Sequence, residues 1–204
     1  MSERKTHWDA VYKTKDDAEV SWFEASPGLS LSLLREAGLT PDASVIDIGG
    51  GLSRLVDALA AQQDHVAVLD ISAEALARAR TRLPEDVNVE WIVSDITAWQ
   101  PSRQYDFWHD RAALHFLTEE VDQQAYLSAL NAAVRPGGKI VIGTFAPDGP
   151  EKCSGLPVIR HDGRSLEKLL GPGYRLIAER RHDHETPWQA VQRFQFSTFE
   201  KIGG

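Results

Sequence analysis

From Ser44 onward the chain alternates short apolar runs with amphipathic stretches, and this alternation narrows the fold more than any other feature. Strands are expected at Ser44–Ile48, His65–Asp70, Val87–Ser94, Tyr105–His109 and Lys139–Phe145. Helices are expected at Ser53–Gln62, Ala73–Arg82, Arg111–Leu117 and Glu119–Val134. Strands that alternate with helices pair in parallel, with right-handed crossovers laying helices on both faces of the sheet. Two last strands, Tyr174–His182 and Val191–Lys201, have no long helix between them and read as a hairpin. The expected class is therefore α/β, a Rossmann-like, doubly wound, mostly parallel seven-stranded sheet with an antiparallel C-terminal strand.

The 204 residues are expected to form a single domain, with 1–43 as an N-terminal helical, aromatic lid and 44–204 as the core. A formal charge of -8 argues against a sequence-independent grip on nucleic acid or anionic lipid. The N-terminal stretch lacks the apolar core of a secretory signal, and no apolar run reaches membrane length. With Cys153 as the one cysteine, an internal disulfide and a cysteine-based zinc site are both excluded. The expected setting is cytoplasmic, the expected state a monomer or weak homodimer, and the expected partner a small molecule.

The run Val45–Val56, "VIDIGGGLSRLV", reads as strand, tight turn and helix. Gly49 and Gly51 allow a sharp turn and close backbone approach to a ligand, with helix amides behind it. A nicotinamide fingerprint would put a third glycine where Arg54 stands, and Asp47 would repel a pyrophosphate. A carboxylate at position 47 suits a ligand carrying positive charge or amine donors. Asp70 ends the second strand, where an acid can accept both ribose hydroxyls. Asp95 follows the third strand, placed to accept an adenine amino group while Ile96 packs on the ring.

"VIDIGGGLS", "VAVLDIS", "VSDIT" and "RPGGKIVIGTF", in this order from Val45 to Phe145, resemble the motifs of class I S-adenosylmethionine-dependent methyltransferases. The resemblance implies S-adenosylmethionine as cofactor, held by Asp47, Gly49, Gly51, Asp70, Ile71, Asp95, Ile96 and His109. Trp8, Tyr12 and Trp22 resemble the aromatic start of thiopurine and tellurite-resistance methyltransferases. Tyr12 and Trp22 are then expected as a lid over the methionine end, while Trp8 is expected to pack the leading helix on the sheet. "HDRAALHFL" and "GPEKCSGLPVIRHDGRSLEKLL" resemble further segments of the thiopurine group, whereas Leu156-Pro157 and the "HDHETPWQAVQRF" ending depart from it. The base-methylating Asn/Asp-Pro-Pro-aromatic turn is absent from the fourth strand's end.

Methyl transfer needs alignment, exclusion of water and, for amines or hydroxyls, removal of a proton. Asp110, Arg111 and His115 are the catalytic candidates. Asp110 reads equally as the cap of the next helix, and His115 also as a hydrogen-bonded histidine between helix and sheet. Cys153, Arg160 and His184 are the candidate substrate contacts, Cys153 being also readable as an inert loop thiol. His182 and His184 share a strand face, but two ligands without a third make a poor metal site, so no metal is expected. The expected function is methylation of a small molecule, a thiol or other soft nucleophile, with protein lysine methylation as the alternative.

Overall fold

The computed structural model describes residues 3–203, leaving Met1, Ser2 and Gly204 of the expected domain outside the described residues. In chain order the elements are α1 (Glu3–Thr14), α2 (Gly28–Glu36), β1 (Ser44–Ile48), α3 (Leu55–Ala60), β2 (His65–Asp70), α4 (Ala73–Arg80) and β3 (Val89–Val93). There follow β4 (Tyr105–Arg111), α5 (Glu120–Ala133), β5 (Val134–Phe145), the two-residue strands β6 (Lys152–Cys153) and β7 (Leu156–Pro157), α6 (Gly163–Leu170), β8 (Tyr174–Glu185) and β9 (Val191–Lys201). Seven strands form one sheet in the order β3-β2-β1-β4-β5-β9-β8. The first five are parallel, and β9 enters antiparallel between β5 and β8.

Side chains alternate across each strand, so neighbouring residues feed opposite cores. Ile46, Ile48, Leu69, Trp108 and Ile142 pack under α5 and α6. Val45, Val68, Phe107, Val141 and Phe196 pack under α2 and α3. β1 is buried on both faces, as a central parallel strand should be. Trp108 is fully enclosed and its indole N–H donates to Tyr126 Oη at 2.9 Å. Without that acceptor the buried donor would cost about 1–3 kcal/mol.

One expected helix, Arg111–Leu117, is not there. β4 runs on through Arg111, Ala112 takes a left-handed backbone (φ 71), and only a single tight helical turn, Leu114–Phe116, follows. Asp110 causes this. Its carboxylate accepts from the backbone N–H of Ala113 at 2.8 Å and of Leu114 at 3.1 Å, reversing the chain within three residues.

The N-terminal region lies across the carboxyl ends of the parallel strands. α1 docks on α4 through Ser72 Oγ donating to Asp9 (2.9 Å) and Arg78 donating to the carbonyl of Tyr12 (2.7 Å). Arg4, on the same helix, reaches Asp122 at the start of α5 (3.0 Å). α1 thus bridges the helices on either side of the β1–β4 crevice, where ligands bind in open α/β sheets.

Candidate active site

The glycine turn after β1 is closed by Ser53 N–H donating to the carbonyl of Gly50 at 2.7 Å and is anchored by its neighbours. Gly49 N–H donates to the carbonyl of Leu69 at 2.7 Å, tying the turn to the end of β2. Gly49 (φ 64) and Gly51 (φ 44) adopt left-handed backbone, which glycine alone takes without strain. Space is equally limiting. A Cβ on Gly49 would meet Ala113 Cβ at 2.8 Å, and one on Gly51 would meet Tyr12 Oη at 2.6 Å and Asp70 Oδ2 at 3.1 Å.

A cleft opens beside this turn. Gly49, Asp70 and Ile71 form one wall, Asp95 and Ile96 continue it, and Trp8, Tyr12, Trp22 and Arg111 close the top. The two acids therefore stand at successive strand ends along one groove, each followed by an isoleucine. Asp70 accepts from Ser72 N–H at 2.8 Å, and burial pushes its pKa up to about 7 against the pull of that bond. Asp95 Oδ1 accepts from the backbone N–H of Thr97 (3.0 Å) and from Thr97 Oγ1 (2.8 Å). The aromatic rings are mutually packed edge to face, Trp8 against Trp22 at 5.6 Å and against Phe116 at 5.0 Å between centroids. Trp8, expected only to pack the leading helix, therefore also roofs the cleft.

A second, adjoining cleft lies on the other side of the turn and is lined by Asp47, Gly49, His109 and Arg111. Asp47 and His109 are register partners on β1 and β4. His109 Nδ1 lies 2.7 Å from Asp47 Oδ1, and its Nε2 lies 2.9 Å from Ser30 Oγ. Asp47 Oδ2 is buried and has no partner. An acceptor held there without a donor suits an ammonium group. Gly51's lack of room for a Cβ, the orphaned Asp47 oxygen and the Asp70–Asp95 wall all fit an adenosyl ligand bearing an amino acid end.

The catalytic candidates separate. Only Arg111 reaches the clefts. Its Nη1 donates to the carbonyl of Trp22 (2.9 Å), Nη2 to Glu24 (3.0 Å), and its guanidinium lies over the Phe194 ring at 5.1 Å. Its Nε is buried with no partner. Asp110 instead points into the core, where Tyr126 Oη donates to it at 2.7 Å and burial raises its pKa to about 6. It caps the turn and lines neither cleft. His115 is fully enclosed against Phe116 and Phe145. Neither of its ring nitrogens has a partner, and burial, with His161 and Arg111 nearby, pushes its pKa down to about 3. A sealed neutral imidazole is not placed to take a substrate proton. Arg111 and His115 do not share a helix face, because Arg111 is still strand.

The long segment after β5, which carries the candidate substrate contacts Cys153 and Arg160, lines neither cleft. Ile159 N–H donates to the carbonyl of His115 (2.8 Å) and His161 N–H to that of Phe145 (3.0 Å), so the segment seals the back of the site. Cys153 packs into the core beneath α2 and α3, and burial pushes its thiol up to about 11. Arg160 is occupied by the carbonyl of Gly149 and by Glu151. His184 Nε2 donates to the carbonyl of Ser21 at 2.7 Å, on the strap between α1 and α2.

Arg4, Phe116 and Leu117 also line the main cleft and were not expected there. Arg4 was within reach of sequence reasoning. It stands at four-residue spacing with Trp8 and Tyr12, hence on their helix face.

A family model described as a methyltransferase domain matches residues 45–138. An uncharacterized methyltransferase of Mycobacterium tuberculosis is 36% identical over 102 residues, half of each chain. A probable thiol methyltransferase of Arabidopsis thaliana is 25% identical over 170 residues, 81% of this chain and 74% of that one. The chain spans about half the length of the first curated relatives it matches. The N-methyltransferase NodS of Bradyrhizobium japonicum, solved with S-adenosyl-L-homocysteine, superposes with a TM-score of 0.74 at 14% identity, covering 98% of this chain and 99% of that one. Residues 45–138 thus match a methyltransferase domain in sequence, and the chain as a whole has the fold of the methyltransferases it resembles.

Proposed function

We propose that this protein is an S-adenosylmethionine-dependent methyltransferase acting on a small molecule. The observation that carries the reading is the single groove running from Gly49 past Asp70 and Ile71 to Asp95 and Ile96. In this reading Asp70 accepts the ribose hydroxyls, Asp95 the adenine amino group, and Ile71 and Ile96 pack against the ring. Asp47, steadied by His109, offers its free oxygen to the α-ammonium group. Tyr12 and Trp22 cover the methionine end and exclude water. When bound, the cofactor supplies an electrophilic methyl group whose departure leaves a neutral thioether, so no proton need be delivered to the leaving group.

The acceptor is read from the groups left free in the two clefts. Asp110 and His115 line neither, and in the second cleft His109 is engaged by Asp47 and Ser30 and Glu24 by Arg111. Arg111 is the cation at the junction of the two clefts, with Nε unspent. That favours a nucleophile arriving already deprotonated, a thiolate or a carboxylate, steadied by the guanidinium. The likeness to a plant protein named as a probable thiol methyltransferase supports the thiol member of that pair.

Calorimetry against S-adenosylmethionine, S-adenosylhomocysteine and NAD tests the cofactor, and tighter binding of NAD refutes it. Transfer of labelled methyl to panels of small thiols, carboxylic acids and amines, set beside lysate proteins, tests the acceptor. Label appearing only in proteins refutes the small-molecule reading.

A further inference from the structure

At the far edge of the sheet two histidines that line neither cleft meet Glu24, which also lines the second cleft. β8 carries His182 and His184 two residues apart on one face. The sequence offers this pair no third partner, but the fold does. Glu24, on the strap between α1 and α2, lies with Oε1 3.7 Å from His184 Nδ1. One ligand atom from each of Glu24, His182 and His184 lies within 4.8 Å of the others, close enough for small side-chain rotations to bring all three onto one ion.

Hydrogen bonding decides which nitrogen of His184 faces the cluster. Its Nε2 is 2.7 Å from the carbonyl of Ser21, which only accepts, so Nε2 carries the proton. In the neutral ring the Nδ1 lone pair then looks toward a carboxylate oxygen, with the imidazole 4% exposed. The two lone-pair atoms are thereby placed as a pair of ligand atoms that one cation could share. Metal-bound histidines are commonly oriented in this way, by giving the other N–H to a carbonyl. Arg111 Nη2 donates to that same Glu24 Oε1 at 3.0 Å, which fixes the carboxylate at some cost in electrostatic repulsion of an incoming ion.

We propose that Glu24, His182 and His184 form a binding site for a divalent transition-metal ion, zinc being the natural probe for a donor set of two imidazoles and one carboxylate. Glu24 and His184 line a groove bounded by Phe23, Ser26 and Glu185, through which an ion would enter. Because Glu24 is two residues beyond Trp22, the ion clasps the lid strap to β8 and thereby steadies the roof of the main cleft. The site does not depend on the methyl-transfer reading.

Untagged protein, stripped with a chelator, is titrated with zinc chloride by calorimetry and with cobalt(II) chloride by visible absorption. One ion per chain is expected, with Glu24→Gln and His182→Ala each weakening binding by about tenfold or more. Circular dichroism checks that both variants fold. Imidazole NMR of the unmodified protein gives a readout that needs no variant: zinc should shift His182 and His184 and spare the other five of the seven histidines. No binding at about 0.1 mM zinc, binding indifferent to both substitutions, or shifts confined to other histidines overturns the proposal.

Discussion

Replacing Asp70 by Asn separates what burying an acid costs from what the acid contributes to binding. Asp70 is 5% exposed at the end of β2. Burial raises its pKa from 3.8 to about 7, with the neighbouring Asp47 and Asp9 charges adding to the rise and the Ser72 and Gly51 N–H groups opposing it. At about 1.4 kcal/mol per pH unit, the ionised carboxylate costs the ligand-free protein up to about 4 kcal/mol. Because the folded value lies above the unfolded one, Asp70's stabilising contribution is fully present below about pH 3.8 and is lost as pH rises through about 7. Asparagine keeps an oxygen for the Ser72 N–H but cannot ionise. Urea unfolding of the ligand-free proteins from pH 5 to pH 8 should therefore show the wild type losing stability that the variant retains. Asp110, whose pKa is also raised, is common to both and drops out of the comparison. At pH 8 the variant should be the more stable by about 1–3 kcal/mol, after allowing for its weaker hydrogen bonds. Its affinity for S-adenosylmethionine should fall by about 1–3 kcal/mol. Parallel pH profiles, or a variant less stable at pH 8, would refute the reasoning.

Tyr126→Phe removes the acceptor of the Trp108 indole and a donor to Asp110, so calorimetric melting should drop by roughly 4–10 °C. An unchanged melting point would mean that water replaces the hydroxyl. Gly143→Ala places a Cβ 2.4 Å from Phe196 Cε1 across the β5–β9 ladder and should cost about 1–3 kcal/mol in urea unfolding. Cys153, its thiol pushed up to about 11 in the core, should react with iodoacetamide at neutral pH far more slowly in the native protein than in urea. Equal rates would show that the segment after β5 opens freely.

Much of the sheet was legible because its signals are local. β1, β2 and β9 have the bounds that apolar run length and turn residues suggest, whereas β5 begins at Val134 rather than Lys139 and carries the Pro-Gly-Gly stretch within it, where its pairing with β4 shifts register. The groove residues were legible for a related reason, since the carboxyl ends of successive parallel strands must share one edge, which brings Asp70 and Asp95 together. What lies between strands was not. Arg111 was expected in a helix because Arg111–Leu117 has helical composition. The competing reversal depends on Asp110 capping two backbone N–H groups while Tyr126, sixteen residues on, donates to its Oδ2. The pairing of Asp47 with His109 depends on β4 registering against β1, and that of Glu24 with His184 on a strap meeting the far sheet edge across 160 positions. Periodicity in the sequence determined which elements form and which ends of the strands carry acids, because strand and helix patterns act over a few residues. Tertiary structure alone decided that Asp110 and His115 face the core, Arg111 the cleft, and Glu24 the two histidines, because side-chain direction there follows from contacts between distant segments.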